Sequence, residues 1–413
     1  MKKIWQWKSA PEADVQRLGG EAGLSPLLAK LLTQRGVATA AQAHAFLAPA
    51  QQELISPFRF SEMEAAVARI RQALERRERI LIHGDYDVDG ITSTCILLET
   101  FRDLGLEADY YIPGRLEEGY GLQVETVEKL GDRCDLLITV DCGTTSVEAV
   151  RRANELKIDV IVTDHHDPGP ERPPAVAVLN PARAEETYPE KKLSGAGVAW
   201  KLSQALREAV LSCPDESAHL DLVTLGTVAD VVPLLGENRI LARRALDGFA
   251  GIQRPGLLAL MDLVKVIPAQ VTSQTIAYRI APRLNAAGRM DHSRYALDLL
   301  MTRDPDVGRE LALHLHQLNL KRQSLETKIF TEAAEIIERE GQFTRGVPVL
   351  VVSGEGWHRG VLGIVAARLV QYYQRPVFLL TVEEGIAHGS ARTVDGLNLL
   401  PLLDAARPYA ISC

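Results

Sequence analysis

Ile80-Leu81-Ile82-His83-Gly84-Asp85-Tyr86-Asp87-Val88-Asp89-Gly90 is the stretch on which the reading of this chain turns. Its first half is a short apolar run, the pattern of a strand buried on both faces. Its second half sets Asp85, Asp87 and Asp89 at alternate positions before Gly90 and a helix-like segment from Ile91 to Phe101. If the backbone stays extended there, alternate side chains point the same way and the carboxylates converge. Carboxylates that close repel one another unless a cation neutralises them, so one reading is a metal site at the carboxyl end of a first strand. An acidic turn is a second reading, because Asp and Gly are common turn residues. A calcium loop of the EF-hand kind is a third, although Ile91, Thr94 and Cys95 occupy later positions where such a loop wants oxygen ligands.

Working outward, a helical pattern with apolar positions at Met63, Ala66, Val67, Ile70 and Leu74 leads into that strand. After it, strand-like runs at Ala108–Ile112, Leu136–Val140, Val160–Thr163 and Val176–Leu179 follow, the first four of the five strands being separated by helical patterns near 92–104, 123–131 and 145–156. This alternation predicts an α/β fold with a parallel five-stranded sheet and helices on both faces. Ligands of such sheets sit beyond the carboxyl ends of the strands. There the chain places Asp141-Cys142-Gly143 after the third strand and Asp164-His165-His166 after the fourth. Asp141 alone could be a helix cap and the two His a solvated loop. Three strand ends bearing oxygen and imidazole donors make a constellation. A further carboxylate, Asp230, lies within the almost wholly apolar helical stretch from Asp221 to Pro233. It is expected to be buried and in need of a cation or several donors, the other reading being an exposed helix end before Pro233.

The bulk properties bound the class. At 413 residues the chain is too long for one simple core. The 46% apolar and 24% charged content is that of an ordinary globular protein, and no run is long enough to span a bilayer. Five scattered Cys without a Cys-x-x-Cys pair argue against a disulfide framework or thiolate zinc site and for a reducing, cytoplasmic setting. A net charge of −8 speaks against coating nucleic acid non-specifically.

His83-Gly84-Asp85-x-Asp87-x-Asp89-Gly90, Val140-Asp141-Cys142-Gly143, Thr163-Asp164-His165-His166 and Gly226-Thr227-Val228-Ala229-Asp230 together resemble the four motifs of the DHH phosphoesterase superfamily. Two more blocks, Ala281-Pro282-Arg283-Leu284-Asn285-Ala286-Ala287-Gly288-Arg289-Met290 and Gly356-Trp357-His358-Arg359-Gly360, are similar to its RecJ branch of single-strand-specific 5′→3′ DNA exonucleases. The resemblance implies a site of two Mn²⁺ ions, or Mg²⁺ in their place. Asp87, Asp89, Asp141, His165 and Asp230 would be ligands, Asp141 bridging, with Asp85 and His83 within reach. His166 would contact the scissile phosphate, joined by Arg283 and Asn285. A donor set of carboxylate and imidazole without thiolate suits Mn²⁺ or Mg²⁺ better than structural Zn²⁺.

The resemblance also marks a substrate end. In the loop Pro113–Gly121, otherwise simply a Gly/Pro-rich connection, Arg115 would touch a 5′-phosphate and Tyr120 would stack on a base. A long helical pattern over 304–341 would connect the catalytic region, 61–303, to a smaller α/β domain, 342–413, and residues 1–60 would be a helical extension. His314 and His316 on that helix are two apart and cannot share a face. The smaller domain reads as a strand Val347–Val352, a turn carrying His358, a helix Val361–Tyr373 and a strand Val377–Leu380. Its Gly389-Ser390-Ala391-Arg392 segment, like His358, would help hold the 5′ end. The chain ends at Cys413 before the Gly/His segment and oligonucleotide-binding barrel that the resemblance leads one to expect, so this domain is expected to be incomplete. The substrate implied is single-stranded DNA with a 5′-phosphate, in DNA repair and recombination. A helicase and a single-strand-binding protein are candidate partners. The alternative is a phosphodiesterase of short oligonucleotides or small nucleotides.

Overall fold

The computed structural model describes residues 8–115 and 117–407. Leu116 in the Arg115 loop and the end of the chain, including Cys413, lie outside the described residues. Five parallel strands, β1 (Ile80–Gly84), β2 (Asp109–Tyr111), β3 (Leu136–Val140), β4 (Asp159–Thr163) and β5 (Ala177–Leu179), form one sheet in the order β2-β1-β3-β4-β5.

The continuous apolar runs are explained by alternation. Ile80, Ile82, Leu136, Ile138, Val140 and Ile161 pack on one face, against Met63, Ile70 and Phe101 and the helix Gly195–Leu206. Leu81, Leu137, Val160 and Val162 pack on the other, against Val127 and Val150 of the helices Val124–Leu130 and Val147–Glu155. Both faces are dry, so the central strands β1, β3 and β4 are apolar at successive positions, as in Ile80–Ile82, Leu136–Ile138 and Val160–Val162. The chain leaves β1 to make β2 on one side and β3 on the other. This switch point between β1 and β3 opens a crevice beyond their carboxyl ends.

A second layer of helices closes the site. Leu220–Ala229 and Ala281–Met290 both pack around the helix Val88–Asp103. The 35-residue helix Pro305–Arg339 is capped by Asp304, whose side chain accepts from Asp306 and Val307 amides. Its first half buries Ala312 and Leu315 in the core beneath these helices. Its second half buries Ile329, Ala333 and Ile337 against the helix Arg359–Tyr373 and a small sheet. That sheet consists of β6 (Leu350–Glu355), parallel to β7 (Val377–Glu383), which pairs antiparallel with β8 (Ile386–Arg392). Its first strand starts at Leu350, three residues later than the apolar pattern suggested, and the Gly-Ser-x-Arg segment lies on strand β8. Near the N-terminus three short helices, Glu12–Ala22, Pro26–Thr33 and Ala40–Leu47, bury Leu18, Leu32 and Ala43 together. Among the described residues no helix is long and apolar enough to cross a membrane.

Candidate metal centre

The carboxylates of the opening stretch do converge, but not by strand alternation. β1 ends at Gly84, and the helix starts at Val88. Asp87 is its N-cap, accepting from the amides of Asp89 (2.9 Å) and Gly90 (3.2 Å). Asp89 sits in the first turn. The Asp-x-Asp-Gly pattern is thus a strand-to-helix cap. Asn285 Oδ1 accepts from Val88 N at 3.2 Å and ties the helix Ala281–Met290 to that turn.

At the end of β3, Asp141 adopts a left-handed backbone (φ 61°), which Asp tolerates better than most residues. At the end of β4, Asp164 is buried and accepts from Thr144 N (2.9 Å) and His165 N (2.7 Å), fixing the turn that carries the two His. Asp230 follows the helix Leu220–Ala229 as its C-terminal cap. Its side chain is 25% exposed, so the expectation of a buried carboxylate is corrected: it is half-buried and stands on the rim.

These elements bring donor atoms to within 4.8 Å of one another in three overlapping groups: Asp85, Asp87 and Asp141; Asp89, His165 and Asp230; Asp141, His165 and His166. His165 Nε2 lies 3.0 Å from Asp141 Oδ1 and 3.6 Å from both Asp89 Oδ2 and Asp230 Oδ2. The 3.0 Å approach lacks the alignment of a hydrogen bond. Asp85 Oδ1, Asp141 Oδ1 and His165 Nε2 are all buried without a hydrogen-bond partner. Orphaned acceptors aimed at shared space are costly unless a cation completes them, so the residues present fit a divalent metal pair.

The electrostatics agree. Burial, then Asp87, pushes the Asp85 carboxyl up to about 7. Burial, then Asp87, takes Asp230 up to about 6. Asp89 and Asp141 are raised well above the carboxylate range, by burial and then by Asp230 and Asp89 respectively. Burial holds His165 down at about 4, so the ring is neutral and able to ligate. His83 lies outside the three groups. Its ring faces Tyr111 and the Cys142 thiol (Nδ1 to Sγ 3.5 Å), and burial keeps it neutral, down at about 4.

His166 is held differently. Its Nδ1 is 2.8 Å from Asp164 Oδ1 and 2.8 Å from the Tyr120 hydroxyl. Tyr120 donates to the Asp141 carbonyl at 3.2 Å, so Nδ1–H is the donor to both oxygens and Nε2 is left for a ligand. Burial alone would lower this imidazole, but the Asp164 carboxylate raises it net above its ordinary value.

Around this cluster stands an arginine wall. Arg115 lies over the Tyr86 ring at 4.7 Å. Arg283 donates to the Arg279 carbonyl (2.6 Å) and to His316 Nδ1 (3.3 Å). Burial, then Arg115 and Arg322, takes Arg289 down to about 10. On β8, Ser390 and Arg392 share a face, with Arg392 Nη1 donating to Ser390 Oγ at 3.0 Å. Burial, then the charge of Arg115, lowers Arg392. His358 caps the helix Arg359–Tyr373, Nδ1 accepting from Gly360 N at 3.1 Å. His314 faces Asp291 (3.5 Å) and Tyr295, while His316 faces Arg283, so the two do look opposite ways. A larger cleft of about 700 Å³, around Glu99, Asp221 and Arg254, lies apart from these donors.

Some of the centre was not legible beforehand. Gly195 N and Ala196 N, at the start of a helix capped by Ser194, donate to Asp89 Oδ2 and Oδ1 at 2.7 and 2.9 Å. A Cβ on Gly195 would come within 2.6 Å of Asp141 Oδ1, and one on Gly226 within 2.5 Å of Asp89 Oδ1 and Thr92 Oγ1. The small-residue run Ser194-Gly195-Ala196-Gly197 was the available signal.

Residues 79–227 match the model of the DHH family N-terminal domain, and residues 346–409 match the DHHA1 domain. The chain is 40% identical over 409 residues to the single-stranded-DNA-specific exonuclease RecJ of Bacillus subtilis, covering 98% of this chain and 51% of that protein. It thus spans about half the length of that relative. Against RecJ of Haemophilus influenzae it is 36% identical over 417 residues, covering 98% of this chain and 71% of that protein. The structure of RecJ from Thermus thermophilus in complex with Mn²⁺ superposes with a TM-score of 0.82 at 32% identity, covering 98% of this chain and 57% of that one. With motifs, domains and fold in agreement over nearly its whole length, the chain belongs to the RecJ family of the DHH superfamily.

Proposed function

We propose that this protein is a metal-dependent exonuclease that hydrolyses single-stranded DNA from the 5′ end and releases 5′-mononucleotides. The observation that carries the reading is the set of orphaned carboxylate and imidazole atoms that converge at the ends of β1, β3 and β4. Asp87, Asp89, Asp141, His165 and Asp230 would hold two divalent cations, Mn²⁺ or Mg²⁺, with Asp141 shared and Asp85 beside them. Bound there, such a pair supplies a water of lowered pKa and neutralises charge on the phosphate.

The remaining steps belong to the chain's own groups. His166, whose hold on a proton the Asp164 carboxylate strengthens, turns Nε2 toward a phosphate oxygen. Arg283 and Asn285 steady the scissile phosphate from the helix Ala281–Met290. Arg115, His358, Ser390 and Arg392 receive the terminal 5′-phosphate, which sets polarity. Tyr120 offers a ring, 40% exposed, to a base. The relatives described above carry the exonuclease name, which favours this reading over a small-nucleotide phosphodiesterase. Helicase and strand-binding partners remain part of the proposal, as does action in repair and recombination.

The test is Mn²⁺-dependent release of mononucleotides from 5′-phosphorylated single-stranded DNA, comparing wild type with Asp141→Ala. Digestion from the 5′ end that needs metal and is abolished by the substitution is expected. Cleavage of dinucleotides alone, with long strands untouched, would overturn the exonuclease reading.

A further inference from the structure

Two large apolar residues stand out of the surface beside the metal centre. Val231, the residue after Asp230, is 83% exposed, and Tyr278 is 74% exposed. Among the described residues no other large apolar side chain is as exposed as either. Val231 lines a cleft of about 190 Å³ together with Ala277, the residue before Tyr278, and the cleft also touches Asn285, Arg289, Arg322 and, from the helix Arg359–Tyr373, Ile364.

Neither residue is held where it is by ordinary packing. Val231 has a φ of 63°, a left-handed backbone that a β-branched residue adopts only under constraint. Tyr278 lies on a π-helical turn, Ile276–Ile280, that interrupts the run into the helix Ala281–Met290. Such turns are uncommon and recur at functional sites. Arg279 and Arg283 continue from Tyr278 along the same segment. An exposed aromatic followed by arginines is the chemistry that binds single-stranded nucleic acid without sequence preference.

We propose that Val231 and Tyr278 form an apolar rim against which bases of the single strand, 3′ to the scissile phosphate, pack as it enters. This rests on the exonuclease reading, because the 5′ end is held at Ser390 and Arg392 and every further nucleotide must then lie on the 3′ side. The cleft takes an apolar base face between Val231 and Ile364, Tyr278 stacks on a base further out, and Arg279 lies beside the backbone that leads from the scissile phosphate at Arg283.

The test compares wild type, Tyr278→Ala, Tyr278→Phe and Val231→Gly on a long 5′-phosphorylated strand and on a 5′-phosphorylated dinucleotide, with Mn²⁺. Binding of a metal-free strand carrying 2-aminopurine, read by its fluorescence, is measured in parallel. Tyr278→Ala is expected to raise KM on the long strand about tenfold, the loss of one stacked base. Its kcat and its dinucleotide kinetics stay unchanged, and Tyr278→Phe restores KM. Val231→Gly is expected to raise KM on the long strand while the melting temperature does not fall, since Gly accepts the left-handed backbone. An active wild type whose KM and fluorescence are indifferent to all three substitutions would overturn the inference and leave the exonuclease reading standing. A wild type that releases nothing from either substrate would end that reading, and the fluorescence of the variants would then decide the rim by itself.

Discussion

The metal centre carries a stability signature that activity assays do not see. Asp85 and Asp230 are raised to about 7 and about 6, above their unfolded values. Between roughly pH 4 and pH 7 the metal-free folded protein therefore keeps protons that the unfolded chain has released. Stability falls as pH rises through that window and levels off above it. For Asp85, moving from 3.8 to about 7, the loss is on the order of 4 kcal/mol when complete. Divalent metal replaces the protons, so it stabilises most above about pH 7. At a hundredfold excess over its Kd the gain is about 2.7 kcal/mol, a rise of about 3 °C in melting temperature for a chain of this length. Asp141→Asn is the matching perturbation: Asn tolerates the left-handed backbone, removes the central charge and weakens metal binding. Calorimetry of both proteins near pH 5 and near pH 8, in EDTA and in Mn²⁺, reads the whole scheme. The metal-free variant should be more stable than metal-free wild type near pH 8, and its gain from Mn²⁺ should be smaller. An Mn²⁺ gain equal in the two proteins, or a wild-type stability in EDTA that does not decline with pH relative to the variant, would refute the reasoning.

Gly226→Ala should fold but lose activity by a hundredfold or more, because its Cβ would meet Asp89 and Thr92 at 2.5 Å and push apart the helices carrying Asp89 and Asp230; an overpacking cost of about 1–3 kcal/mol in denaturation should accompany it. Lys201→Met should destabilise the protein by about 3–5 kcal/mol in urea, since it strips the buried Glu237 carboxylate of the ammonium 2.5 Å away; Lys201→Met with Glu237→Gln should recover part of that loss. Arg392→Ala should reduce the preference for a 5′-phosphorylated over a 5′-hydroxyl strand, measured as the ratio of kcat/KM, while Asp141-dependent cleavage persists.

The sheet was legible because its physics is local to each strand. Ile80 to Ile82 and Leu136 to Ile138 are apolar at every position, and that pattern has one economical solution, a strand covered on both faces. The ends of β3 and β4 followed from the same reading, which is why Asp141, His165 and His166 could be placed from residue order alone. Asp87 and Asp89 were placed for the wrong reason. A capping Asp two residues before another Asp has the same spacing as a strand that goes on, and only the helix start at Val88 separates the two cases. Asp230 was expected to be buried because its helix is apolar, yet the helix ends one residue earlier and leaves the carboxylate on the rim. The Gly195 and Ala196 amides that hold Asp89 were beyond reach for a different reason. Backbone donors carry no residue identity, and this contact joins positions 106 and 107 apart in sequence. Val231 belongs to the same class: nothing in a valine announces a left-handed backbone. What the sequence could disclose was therefore the charge of the centre. Its orientation comes from helix termini and strained turns that the tertiary structure imposes, and these are the positions where substitution should alter substrate handling without removing a ligand.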